Sequence, residues 1–300
     1  MKKMKPASPP AQRLKAPKKE SQLGNIWRKF RKNRLAMVGL TIFICLLLIA
    51  IFADVIADYQ MKVIFQNRHQ RRVEPCAEFW FGTDALGRDV LARVVHGSRI
   101  SLSIAFAGTL ISTLAGGTLG ALTGYFGGWL DNLIMRLIDI VMSIPSMLLS
   151  IAIVAALGSD ISNLLLAMTI GQIPRFTRVV RSLVITAAAD DYVEAAKVCG
   201  ASNGRIIVRH ILPNIIGPVI VQSTMSVASI ILTTAGLSFI GLGVQPPAPE
   251  WGTMLSEARD FMLTDPYLVI APGVAIALAV FSLNTIGDGL RDALDPRSGD

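Results

Sequence analysis

The sequence contains no Gly-Lys pair, so it lacks the G-x-x-x-x-G-K-[ST] loop that cradles nucleotide phosphates. H-E-x-x-H and G-x-G-x-x-G are missing too, and only three histidines and three cysteines occur in 300 residues. Cys45, Cys76 and Cys199 are widely separated and show no Cys/His ligand spacing, which argues against a metal site and a structural disulfide. No nucleophile–base pair is visible, so no catalytic residue, metal or cofactor is expected. Charge is scarce as well. Asp, Glu, Lys and Arg make up 17% of the chain, where soluble domains carry about a quarter. With 52% hydrophobic residues and a mean hydropathy of +0.53, the composition is that of a membrane protein. The net charge of +8 does not indicate a nucleic-acid partner, because 12 of the 29 Lys and Arg lie in the first 35 residues. That is a basic tail ahead of a membrane span.

Taken in order, residues 1–22 read as a disordered basic tail rich in Lys and Pro. Residues 23–34 read as an interfacial amphipathic helix. Leu23, Ile26, Trp27 and Phe30 recur at helical spacing, with Arg28, Lys29, Arg31 and Lys32 opposite. Residues 35–99 hold a first span, 35–53, and a polar outer loop in which Thr83 or Asp84 can cap a helix and Asp89 can pair with Arg93. The core, residues 100–297, holds five further spans. Span 2 (100–130) carries Gly116, Gly120 and Gly124 on one face, with Gly117 beside them, for close helix contact. Span 3 (133–157) contains Asp139, expected to pair locally with Arg136, and Pro145. Span 4 (161–180) needs Arg175 and Arg178 to reach the interface. Span 5 covers 215–237 and span 6 covers 268–286. The Gly- and Pro-rich run between them, 236–252, should pack against protein, since bare backbone cannot face lipid.

Between spans 4 and 5 lies the longest charged interruption, residues 190–214. Acids at Asp190 and Asp191 and helix formers to Cys199 predict a short helix. Gly200 ends it, Ser202 or Asn203 caps a second one, and Pro213 stops or bends that second helix. Glu194-Ala195-Ala196, then Gly200, then Leu212-Pro213 resembles the cytoplasmic EAA loop of ABC-importer permeases. Arg209-His210-Ile211-Leu212-Pro213-Asn214, the stretch Gly82 to Arg99, the Gly/Pro-rich run and the C-terminal 287–297 are similar to the dipeptide/oligopeptide/nickel branch.

The resemblance implies an all-α polytopic membrane protein with the ABC-importer (type I) permease fold: six transmembrane helices preceded by the interfacial helix. It implies that Glu194, Ala195, Ala196, Gly200, Arg205, Arg209, Leu212 and Pro213 couple to an ATPase. The implied partners are a second homologous permease subunit (a heterodimer), two ATP-binding subunits and an extracytoplasmic substrate-binding protein, set in the lipid of a bacterial plasma (inner) membrane. The implied cargo is di- or oligopeptides, with nickel or another small solute as the alternative. A self-sufficient secondary transporter or channel is the rival class. It is disfavoured because Asp54, Asp139 and Asp288 all sit at span ends, not inside the spans. Gln172, Gln222, Ser223, Ser226 and Asn284 are the candidates for the translocation path, neutral groups that solvate many solutes weakly. With both termini cytoplasmic, 21 Lys and Arg fall inside and eight outside. The first outer segment holds seven of those eight.

Overall fold

The computed structural model describes residues 22–294, so the expected disordered tail lies almost wholly outside the described residues. The long apolar runs become α2 Arg34–Ile51, α4 Val90–Phe126, α10 Leu212–Phe239 and α12 Tyr267–Leu294. Around them stand α1 Gln22–Lys32, α3 Ala53–Ile56, α5 Gly128–Met142, α6 Ser146–Leu157, α7 Ile161–Ala188, α8 Asp191–Val198, α9 Asn203–Ile206 and α11 Trp251–Ala258. Among the described residues there is no strand, only a bridge between Thr83 and Asp89.

Among the described residues, four helices have both the length and the apolarity to cross a membrane: α2, α4, α12, and α9–α10 taken together. Span 3 is not one helix. It breaks after Met142, and its halves α5 and α6 meet at 83°, counting at most as a fifth span. The cause is Pro145, which disfavours the helical conformation of the residue before it. The sixth, α7, is long enough at 28 residues, but Gln172, Arg175, Arg178 and Arg181 make it too polar to pass by hydropathy. The expected boundary at 99/100 falls inside α4, which starts at Val90 and ends before Gly127.

The main seam joins α4 to α7. A Cβ on Gly120 would sit 2.6 Å from the Thr177 carbonyl oxygen, and one on Gly116 or Gly124 would likewise strike α7. Gly117 faces open space. The glycine face therefore does what its spacing predicts: it lets two backbones approach. Gly120→Ala should lower the stability of the purified subunit by roughly 1–3 kcal/mol through overpacking. Gly117→Ala should cost nothing, because alanine is the better helix former. Thermal unfolding in detergent that ranked the two the other way round would contradict this seam.

The two ends of the bundle differ. At one end α1 folds back on α12: Phe30 is buried beside Gly289, and Asn33 donates to Asp292. The apolar face of α1 thus rests partly on protein. At the opposite end residues 57–89 form a cap over α4 and α11. Asp89 caps α4 by accepting from Leu91 and Ala92 N–H, so it does not pair with Arg93. Arg93 Nη1 instead reaches the Asp84 carboxylate at 2.7 Å and Glu257 at 2.6 Å. Arg88 bonds the same two acids at 2.6 and 2.9 Å. The Gly/Pro-rich run ends there, buried at 237–238, 243–244 and 249–252 but exposed at 239–241 and 245–247, so the expected cover is only partial. Glu250 is buried, caps α11 through Thr253 N–H and accepts from Ser101, while the Trp251 indole donates to the Val94 carbonyl.

Candidate coupling site and path

The 190–214 segment projects from the end of the bundle that carries α1. Helix α8 ends in a Schellman motif. The Gly200 N–H bonds the Lys197 carbonyl and the Ala201 N–H bonds the Ala196 carbonyl, both at 3.0 Å. That closure requires the left-handed backbone found at Gly200, φ +78°. Asp190 and Ser202 occupy the cap positions of α8 and α9 without side-chain capping bonds. Beyond α9 the chain makes a π-helical turn, Ile207–Ile211, and runs on into α10. Pro213 therefore neither stops nor sharply bends the helix. It has no N–H for the Arg209 carbonyl, and the widened turn just before it absorbs the mismatch.

One face of this corner is anchored. Val193, Ile206, Ile207, Ile211 and Ile215 are buried against Val180, Val184 and Ala187 of α7. The other face is presented outward. Glu194, Ala195, Gly200, Arg205, Arg209 and Pro213 are exposed, while Ala196 and Leu212 are half-buried in the anchoring cluster. Val198 is 84% exposed and Val208 65%, and Tyr192 is also exposed. These exposed apolar side chains were not singled out from the sequence, where they read as ordinary helix residues. Nor was Tyr125, at the end of α4, which braces the corner. Its hydroxyl donates to Asn203 at 3.0 Å, and the Lys197 ammonium lies 5.7 Å from its ring centroid.

The path candidates are not gathered in one chamber of this chain. Gln172 lines a cleft of about 370 Å³ with Pro145, Arg175 and Ser229, and its amide is 3.4 Å from the Ser229 hydroxyl. Gln222 lines another, about 470 Å³, with Val179 and Arg291, and its amide is 3.4 Å from the buried Ser226. Ser223 bonds Thr113 across α4 and α10 at 3.1 Å, and Asn284 is exposed on α12. Asp139 does not pair with Arg136. Its partner is Arg178 of α7, and one turn further along α7 Arg181 grips Asp131 with two bonds of 2.6 Å. These two ion pairs fasten α5 to α7, which is how the arginines of a long span are satisfied near its end.

Residues 116–299 match the family of binding-protein-dependent transport system inner membrane components, and residues 21–75 match the N-terminal TM domain of oligopeptide transport permease C. The chain is 47% identical to the dipeptide transport system permease protein DppC of Alkalihalophilus pseudofirmus, over 90% of this chain and 88% of that one. It is 44% identical to the glutathione transport system permease protein GsiD of Escherichia coli, over 90% and 89%. Among solved structures, a chain of the MetNI methionine ABC transporter in inward-facing conformations superposes with a TM-score of 0.55 at 17% identity. That match covers 68% of this chain and 97% of the other, a likeness of fold.

Proposed function

The chain belongs to the family of binding-protein-dependent transport system inner membrane components, and from that premise we propose that it passes di- or oligopeptides inward through the membrane. It is a permease subunit of an ATP-driven importer, and hydrolysis lies in a separate subunit. ATP-binding subunits dock on the outward face of the 190–214 corner, with Glu194, Ala195 and the apolar Val198 and Val208 in contact. A second, homologous permease subunit completes the passage, and an extracytoplasmic binding protein delivers the cargo. The observation that carries this reading is the corner itself: an anchored, Schellman-closed projection whose free face presents Glu194 and Val198 on one turn of α8, with Lys197, Arg205 and Arg209 also exposed. Peptide is favoured over nickel by the relatives, one a dipeptide and one a glutathione permease. The test is the reconstituted complex: dipeptide with its binding protein should raise ATP turnover, and nickel should not. Stimulation by nickel alone would overturn the choice of cargo.

The α1 helix lies in the headgroup layer, and both termini, with the corner, face the cytoplasm. Cys199 is exposed at the corner and Cys76 at the opposite cap. A membrane-impermeant maleimide on intact cells should label Cys76 where it is accessible and leave Cys199 unlabelled until permeabilisation. Early labelling of Cys199 would invert this orientation. Selectivity resides mainly in the binding protein, since the path candidates are neutral and scattered over separate clefts. Gln172→Leu and Gln222→Leu should slow import of several peptides alike. A clean switch of cargo preference from either one would move specificity into this subunit.

A further inference from the structure

The cap and the first turns of α4 hold seven Lys and Arg, and the fold separates them into two sets. Arg72 pairs with Asp265, Arg88 and Arg93 pair with Asp84 and Glu257, and Arg99 pairs with Asp54. Lys62, Arg68 and Arg71 are exposed and have no carboxylate partner among the described residues. Of the acids around them in sequence, Asp54 is held by Arg99 and Asp58 accepts from the Met61 N–H at 2.7 Å, while Glu74 and Glu78 are exposed further along the loop and pair with none of the three.

The same stretch is two-faced. Ala53, Ala57 and Val63 are buried, the latter two clustered with Ala92 of α4. The larger side chains point away from the protein: Val55 is 83% exposed, Met61 67% and Phe65 57%, with Phe52 and Ile56 also open. A loop bathed in water would not turn its small residues in and its large apolar ones out. This surface also continues a lipid-facing one. Leu48 and Ile51 on the last turn of α2 are exposed, and only 22% of the apolar window of α2 is buried, against 39% or 44% for the other spanning helices. Helix α2 is therefore less covered than α4, α10 or α12, and residues 52–71 leave directly from its exposed end.

We propose that residues 52–71 form a strap lying in the lipid headgroup layer. Phe52, Val55, Met61 and Phe65 sit at the acyl boundary, and Lys62, Arg68 and Arg71 bind phosphates of anionic phospholipid. The argument needs only that α2 crosses the membrane, so it stands whichever leaflet this is and whatever the cargo. It also gives the unpaired cations of the cap an anionic partner outside the protein.

The test uses the assembled transporter with Cys45, Cys76 and Cys199 replaced by serine and a nitroxide placed at Val55→Cys or Phe65→Cys. In vesicles of phosphatidylethanolamine and phosphatidylglycerol, oxygen should relax both labels more than a polar nickel chelate does, as at a headgroup–acyl boundary. In vesicles of neutral phosphatidylcholine the labels should shift toward water. The triple variant Lys62→Gln, Arg68→Gln, Arg71→Gln should lose that difference between lipids. Labels as open to the chelate as in bulk water would overturn the proposal. So would labels closed to both reagents, which would assign the patch to a protein partner. Equal depth in the two lipids would overturn the anionic part.

Discussion

Gly200→Val is expected to abolish cargo-stimulated ATP hydrolysis while the subunit still inserts and assembles. A Cβ at this position meets nothing within 4 Å, so the effect does not come from crowding. It comes from the backbone, because φ is +78° and a β-branched residue there costs about 1–2 kcal/mol. That strain is relieved by opening the Schellman closure between Gly200, Ala201 and the last turn of α8. The direction of α8 relative to α9 is then lost, and with it the placement of Glu194 relative to the helix that follows. Gly200→Asn is the graded control, since asparagine tolerates the left-handed region and should retain most of the stimulation. Glu194→Lys keeps the corner intact but reverses the outward charge beside Ala195 on α8, and it should fail in the same assay. If Gly200→Val hydrolyses ATP normally in response to cargo, the corner is not where the ATPase is felt.

At the opposite end, Asp84→Ala is expected to be the most destabilising single change in the cap, by roughly 3–5 kcal/mol. Asp84 accepts from the Leu86 and Arg88 N–H groups through one oxygen, and from the Arg88 and Arg93 guanidiniums through the other. Both arginine side chains are only 2% exposed. Without Asp84 they share Glu257 alone, which leaves an uncompensated positive charge out of water. Arg93→Met should cost less, for two reasons. Arg88 still bonds both acids and the surplus negative charge can be hydrated at Glu257, whose side chain is 25% exposed, and the Arg93 Nε and Nη2 atoms already lack partners. Expression and thermal unfolding should rank Asp84→Ala well below Arg93→Met. The reverse order would mean that Arg93, not Asp84, is the centre of the network.

These outcomes bear on what was legible in the sequence. Local signals held. The glycine spacing of 116, 120 and 124 predicted a close backbone contact, and the acids, helix formers and Gly200 predicted a helix ended by a left-handed residue. Each such rule acts within a turn or two of chain. Pairings were misread wherever a near neighbour in sequence competed with a distant one in space. Asp139 has Arg136 three residues away, yet it bonds Arg178, 39 residues on. Asp89 stands four residues before Arg93, but its carboxylate is taken by N–H groups at the helix start. The partner of Arg93, Glu257, lies 164 residues away, and no periodicity points to it. Helix continuity failed for a related reason. Pro145 breaks a span at 83°, while Pro213 and Pro174 sit within helices that run on, because the cost of a missing bond depends on the turn around it.

The corner has a mechanical consequence. It is entered by a 28-residue helix and left by a helical run that reaches Phe239, with only Ala189 and Asp190 between α7 and α8. From the corner back to Gln172 is a stiff rod of about 24 Å at 1.5 Å per residue. Because α4 is seated on α7 at its glycines, a push on Glu194 has little soft material to compress. It must swing α4 and α7 together as one beam. The give in the system then lies at the three-residue break between α5 and α6, which borders the cleft holding Gln172. Under the proposed docking at the corner, the expected place for a change of aperture is therefore the cleft midway along the molecule, where residues 143–145 interrupt the helix pair.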